Sequence, residues 1–248
     1  MSPQLQQRLE SIRTNTTAGS RQLILFALDA LAECRFSSED LSHFLTQLRW
    51  IRPAMAAFRT ISRFLSDQLQ HISCPTAVEK TRALIQRSSR ETIQNALQQL
   101  PHHGTVATIS YSSLVEQILV EGIREGKQWN IYCFRSGTPA YGEFFQQRLH
   151  RAGIPATVLP DAVPSPPIDF ILIGADTVSP SYGLINGHPS YSLCALLFYH
   201  VPIYCCAESF KYDASLVLEP GFDFLPASFG IHQISDSVWI DSLAEHRS

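Results

Sequence analysis

Four short polar segments carry the side chains of this sequence best suited to chemistry: Ser110-Tyr111-Ser112-Ser113, Arg135-Ser136-Gly137-Thr138, Gly174-Ala175-Asp176-Thr177 and Glu208-Ser209-Phe210-Lys211. Each directly follows an apolar run that reads as a β-strand. In open α/β sheets ligands collect outside the carboxyl ends of the strands, so these segments mark where a site should lie. Ser110, Ser112 and Ser113 would stand at a helix N-terminus. Hydroxyls and free backbone N–H groups there suit a phosphate, and they equally suit plain helix capping. A carboxylate placed like Asp176 can act as an acid or base, hydrogen-bond sugar hydroxyls, or cap a turn. Lys211 can hold a phosphate as a point charge or stand as a solvated lysine.

The elements that would position these residues change character along the chain. Residues 1–98 read as helices. The run 21–34 places Leu23, Leu25, Phe26, Leu28 and Leu31 near helical period, and Ser37-Ser38-Glu39-Asp40 reads as an N-cap run before the next helix. Arg52-Pro53 interrupts, a helical pattern resumes, and residues 76–99 read as one long exposed helix. After Pro101-His102-His103-Gly104 come short apolar runs separated by helical stretches. Strands are expected at 105–110, 130–135, 156–159, 169–175 and 202–207, with helices at 112–126, 142–153 and 191–200. Strands alternating with helices argue for a mainly parallel sheet covered on both faces. The expected fold class is α/β, with a helical domain over residues 1–98 and a Rossmann-like domain over 99–248. Pro164-Ser165-Pro166-Pro167 reads as a surface loop.

Composition narrows the function. Hydrophobic residues are 45% and charged residues 17% of the 248, which permits a packed core and argues against disorder. A net charge of −3 gives no electrostatic footprint for nucleic acid or an anionic membrane. No apolar run reaches the roughly 18 residues needed to span a bilayer. The first residues lack the apolar stretch of a signal peptide, so a cytoplasmic protein is expected. The six cysteines form no C-x-x-C pair, and Cys205 and Cys206 are adjacent, so reduced, buried thiols are expected. The nine histidines are dispersed with no H-E-x-x-H pattern. Neither a metal nor a cofactor is expected.

Read in order, Gly174-Ala175-Asp176-Thr177-Val178, Gly183-Leu184-Ile185-Asn186, Val201-Pro202-Ile203-Tyr204 and Glu208-Ser209-Phe210-Lys211 resemble one family in type and spacing. It is that of the alpha, beta and delta regulatory subunits of translation initiation factor 2B. The same superfamily holds methylthioribose-1-phosphate isomerase and ribose-1,5-bisphosphate isomerase. Upstream, residues 14–20, Arg52-Pro53-Ala54-Met55 and residues 108–113 are similar to further family segments. The resemblance covers most of residues 10–213, and the tail after 214 matches poorly.

The resemblance implies a catalytic pair at Ser110 and Asp176. The isomerases are expected to carry a cysteine at the first position, and a serine hydroxyl is a far weaker acid or nucleophile than a thiol. Where the family usually reads Asn-Lys-Ile-Gly-Thr, this chain has Asn186-Gly187-His188-Pro189-Ser190. The lysine is lost, and Pro189 removes a backbone N–H. Arg135 puts a cation at another strand end. Ligand-binding roles are expected for Gly19, Ser20, Ser112, Arg135, Asn186 and Lys211. The implied function is a regulatory-subunit-like protein, pairing as a homodimer or with related subunits, that binds a phosphorylated sugar or nucleotide in a degenerate isomerase pocket. The alternative is an active aldose–ketose isomerase on a phosphorylated ribose derivative. A generic nucleotide-binding Rossmann protein is disfavoured because no G-x-G-x-x-G follows the first strand.

Overall fold

The computed structural model describes residues 1–34, 36–162 and 167–238. Most of the proline-rich loop expected at 164–167 lies outside the described residues, as does the end of the domain expected over 99–248. Five helices come first: α1 (Pro3–Thr14), α2 (Ser20–Glu33), α3 (Ser38–Leu48), α4 (Ala56–Gln68) and α5 (Cys74–Gln99). Local chemistry sets their starts. Ser2 and Ser73 cap α1 and α5 with a proline in the first turn. Ser37 and Asp40 form a reciprocal capping box on α3.

The chain then alternates. β1 (His103–Thr108) leads to α6 (Ser113–Arg124), β2 (Gln128–Phe134), α7 (Tyr141–Arg151), β3 (Ala156–Leu159) and β4 (Phe170–Ile173). β5 (Thr177–Ser179) and β6 (Gly183–Gly187) precede α8 (Ser190–Leu197), β7 (Ile203–Cys206), β8 (Phe222–Pro226) and β9 (His232–Ile234). Six strands form one sheet in the order β3-β2-β1-β4-β7-β9, and every pairing in it is parallel. The fold class is therefore α/β, as the alternating pattern implies. Strand order runs one way from β1 to β3 and the other way from β4 to β9. The switch point falls between β1 and β4, where α/β sheets open a crevice. Ser110 follows β1 and Asp176 follows β4.

Three features differ from the sequence reading. The strand expected at 105–110 is paired over 103–108, which leaves Ser110 beyond the ladder. β5, β6 and β8 form a separate antiparallel sheet that the reading lacks. The long helix at 74–99 is real but exposed on one side only, because Thr81, Ser88, Ser89 and Thr92 are buried along the other face. Their hydroxyls are satisfied: Ser88 and Thr92 donate to Asp236, Ser89 donates to Glu208, and Thr81 donates to the Ala77 carbonyl. Hydropathy alone scores such residues as surface.

α5 is shared between two cores. Ala77, Val78 and Ile85 pack with the other helices, while Ile93, Ala96 and Leu97 pack under the sheet with Leu119 and Trp129. Phe210, just past β7, is fully buried in the helical core and locks it onto the sheet end. Phe210→Ala should lower stability by about 3–5 kcal/mol, the usual cost of an emptied phenylalanine site. Urea titration read by far-UV circular dichroism checks this, as a fall in the midpoint at unchanged slope.

Candidate functional site: a cleft at the switch point

The strand ends, the helical layer and the tail enclose a cavity of about 150 Å³. Ser110 and Asp176 both line it, with Gly187 from the end of β6, Gly19 from the cap of α2, and Arg52 from the α3–α4 connection. A smaller recess of about 20 Å³ adjoins it, lined by Ser20, Ser112, Asn186 and Lys211 among others. Gly19, Tyr111 and Asp176 line both, so the two are one continuous cleft. Seven of the eight residues expected at the site thus face this cleft. Arg135 does not. It is exposed, paired with Glu143 at 3.0 Å, because β2 ends in a tight turn that sends its side chain along α7.

The backbone around Asp176 is fixed from both sides. Its N–H donates to the Ile185 carbonyl at 2.8 Å, and its carbonyl accepts from the Ala56 N–H at 3.0 Å. Burial pushes the carboxyl above the ordinary carboxylate value; Lys211, a hydrogen bond from Ser20 and Arg52 oppose this incompletely. Asp176 is therefore poised nearer neutrality than a surface aspartate, as an acid, a base or a hydroxyl binder requires.

Lys211 is nearly buried, and its Nζ lies 2.9 Å from Glu208, which is wholly buried. Arg21 stands 3.8 Å from the same carboxylate. Burial works to raise the Glu208 carboxyl, and Lys211 and Arg21 more than offset it, so the group sits below its usual value. The cluster is an ionised triad of two cations and one anion. Its cations border the recess beside the N-termini of α2 and α6, where Ser112 caps α6 by accepting from the Val115 N–H. A phosphate oxygen placed there meets positive charge and backbone N–H groups together.

Ser110 adopts a left-handed backbone, φ 62°. Gly187 faces it so closely that a Cβ at 187 would come within 2.6 Å of the Ser110 hydroxyl. A glycine at 187 and a serine at 110 are thus complementary in space. Gly174 makes a similar allowance for Ser112, whose hydroxyl would lie 2.6 Å from a Cβ there. Asn186 is buried and donates to Ser190 at 2.9 Å.

Among the described residues no cysteine lines the cleft, so no thiol stands in for the one that the isomerases are expected to carry at the position of Ser110. Cys133, Cys194 and Cys205 are buried with thiols pushed up to about 12 by desolvation. Among the described residues no group of three or more His, Cys, Asp or Glu side chains gathers to hold a metal ion.

The sequence reading missed Arg52, Tyr111, Tyr141 and Phe222 as site residues. Arg52 donates to Glu219 at 2.9 Å and to the Asn15 carbonyl at 2.9 Å, so it ties the loop before α2 to the tail. Tyr141 donates to the Thr16 carbonyl at 2.7 Å from the other side. The Arg-Pro segment at 52–53 carried a usable signal for Arg52. Pro220, Gly221 and Phe222 carried none, since the tail matches no family pattern.

The sequence matches the initiation factor 2 subunit family over residues 1–220. It is 29% identical over 115 residues to translation initiation factor eIF2B subunit alpha of Caenorhabditis elegans, covering 45% of this chain and 38% of that protein. It is 25% identical over 183 residues to an eIF-2B subunit 2-like protein of Pyrococcus furiosus, covering 72% of this chain and 66% of that one. The chain thus spans less than two thirds of either relative. The fold resembles the crystal structure of the Pyrococcus horikoshii initiation factor eIF-2B, with TM-score 0.83, 17% identity, and coverage of 95% of this chain and 96% of that one. It also resembles a chain of the tetrameric eIF2B beta2-delta2 complex of Chaetomium thermophilum, with TM-score 0.72, 16% identity, and coverage of 95% and 91%. At such identities the structural likeness shows the fold alone.

The raised Asp176 value has a sign that can be measured. The folded protein binds this proton more tightly than the unfolded chain, so Asp176 costs stability as pH rises from its ordinary value of 3.8 through the folded value. Asp176→Asn removes that cost. The stability difference, variant minus wild type, should therefore grow in favour of the variant across this window and level off above it. Urea midpoints of both proteins from pH 4 to 8 check the trend.

Proposed function

This chain belongs to the initiation factor 2 subunit family, and on that footing we propose that it binds a phosphorylated sugar or a nucleotide in the switch-point cleft. It acts through association with a second copy of itself or with related subunits, without turning the ligand over. One observation carries this reading: Asp176, Ser110 and the Lys211–Arg21 cations border a single cleft with two helix N-termini. The sugar hydroxyls meet Asp176 and Asn186. The phosphate meets Lys211 and the amides near Ser112. Turnover is not part of this reading, because the position that the isomerases are expected to fill with a cysteine holds Ser110, whose hydroxyl is a far weaker acid or nucleophile than a thiol.

Association draws support from two sources. One fold relative is a chain of the tetrameric eIF2B beta2-delta2 complex. On this chain the α8 region leaves Tyr191, Leu196 and Tyr199 exposed, the last at 82%. An apolar face of this kind fits a protein partner.

Thermal unfolding with ribose 1,5-bisphosphate, methylthioribose 1-phosphate and adenine or guanine nucleotides tests the binding. A ligand at about 100 times its dissociation constant should stabilise the fold by roughly 2.7 kcal/mol, and Asp176→Asn should lose most of that gain. Interconversion of either ribose derivative, abolished by Asp176→Asn, would make the protein an isomerase instead. Light scattering should give a dimer or larger even-numbered mass, and Leu196→Glu with Tyr199→Glu should reduce it to the monomer.

A further inference from the structure

Ser110 holds a backbone conformation that residues with a Cβ avoid, and Ser136, at the next strand end, holds the same one, with φ 62° at both. Gly137 follows at φ 67°. In this turn the two successive N–H groups face one acceptor, an arrangement that receives an anion. Here the anion belongs to the chain. Asp161, just past β3, accepts the Ser136 N–H on one carboxylate oxygen and the Gly137 N–H on the other, each at 2.7 Å. The Ser136 hydroxyl then donates to the Phe134 carbonyl at 2.9 Å and accepts the Ser110 N–H at 2.7 Å. Ser136 is almost fully buried, so its hydroxyl has no water to turn to.

We infer that Asp161 is the positioning residue of the cleft: through Ser136 it fixes the backbone of Ser110, and so the place of the hydroxyl that faces the ligand. The relay crosses three neighbouring strand ends, from β3 to β2 to β1, and reaches the switch point from the solvent side. Gly187 leaves the space that the same hydroxyl occupies. An exposed carboxylate thereby controls a buried one-atom contact without touching the cleft, since Asp161 lines neither recess. The effect on a ligand rests on the function proposed above. The effect on Ser110 does not.

Asp161→Asn keeps the size of the side chain but presents an amide to one of the two N–H donors. Ser136→Ala removes the last acceptor. Both are followed in ¹H–¹⁵N correlation spectra of the whole chain. The Ser110 amide, held at short distance, should resonate downfield in the wild type and move upfield in both variants. The indole signals of Trp50 and Trp129 serve as the reference for an intact fold. A Ser110 amide that stays in place in folded Asp161→Asn would overturn the inference. In the same samples, titration with ribose 1,5-bisphosphate should show affinity weakened at least tenfold in each variant. A moved amide with unchanged affinity would refute the positioning role toward the ligand. A wild type that binds no ribose 1,5-bisphosphate, with the amide still moving, would remove the proposed ligand and leave the control of Ser110 standing.

Discussion

One carboxylate out of reach of water organises this molecule. Glu208 has no exposed surface, and its charge is met by Lys211 from the turn after β7, Arg21 from α2 and the Ser89 hydroxyl from α5. Arg21 extends the network to Ser113 and Gln117 on α6. The ionised form survives burial only while these partners stay. Breaking such a pair leaves a bare charge at a cost of about 3–5 kcal/mol. The helical layer, the sheet end and the helix that opens the recess are therefore held in one relation, and the cleft inherits its shape from that relation. A neighbouring anion works similarly. Asp236 accepts from Ser88, Thr92, Ser209 and Val238, and so binds the segment after β9 to α5 and to the turn that carries Lys211.

The charge balance of the cleft follows. Lys211 and Arg21 are shared with Glu208, and Arg52 is shared with Glu219 at 2.9 Å. Each of these cations is thus already partly neutralised by a carboxylate of the chain itself. Gly187 adds no charge to this balance. It leaves the room that the Ser110 hydroxyl occupies.

How much of this was legible depended on where each signal sat. The parallel strands β1 to β4 and β7 could be read because each is a short run rich in apolar residues between helical stretches; Phe170–Ile173 is buried throughout. Ser110 and Asp176 could be placed together because the ends of adjacent parallel strands share an edge. Arg135 could not be excluded, because spacing does not tell which way a side chain leaves a tight turn. β5 and β9 have three residues each, too few for a periodic pattern, and β6 lay hidden inside a motif read for its chemistry. The wall supplied by residues 220–222 is set by the Glu219 contacts with Arg52 and Ala54, whose partners are over 160 positions away in the sequence.

The place of β9 has a consequence for how the protein is made. It closes the outer edge of β7, pairing Tyr204 with His232 and Cys206 with Ile234, yet the antiparallel strand β8 and its turns separate the two in sequence. A ribosome delivers β9 after every other described strand of this sheet. Until it emerges, β7 presents a row of unpaired N–H and C=O groups beside apolar side chains, a template for any other strand nearby. The vulnerable moment in biosynthesis thus comes when the cleft residues are already translated but the sheet is still open. Premature termination or a proteolytic cut between 207 and 231 would be felt first as lost solubility of the nascent product.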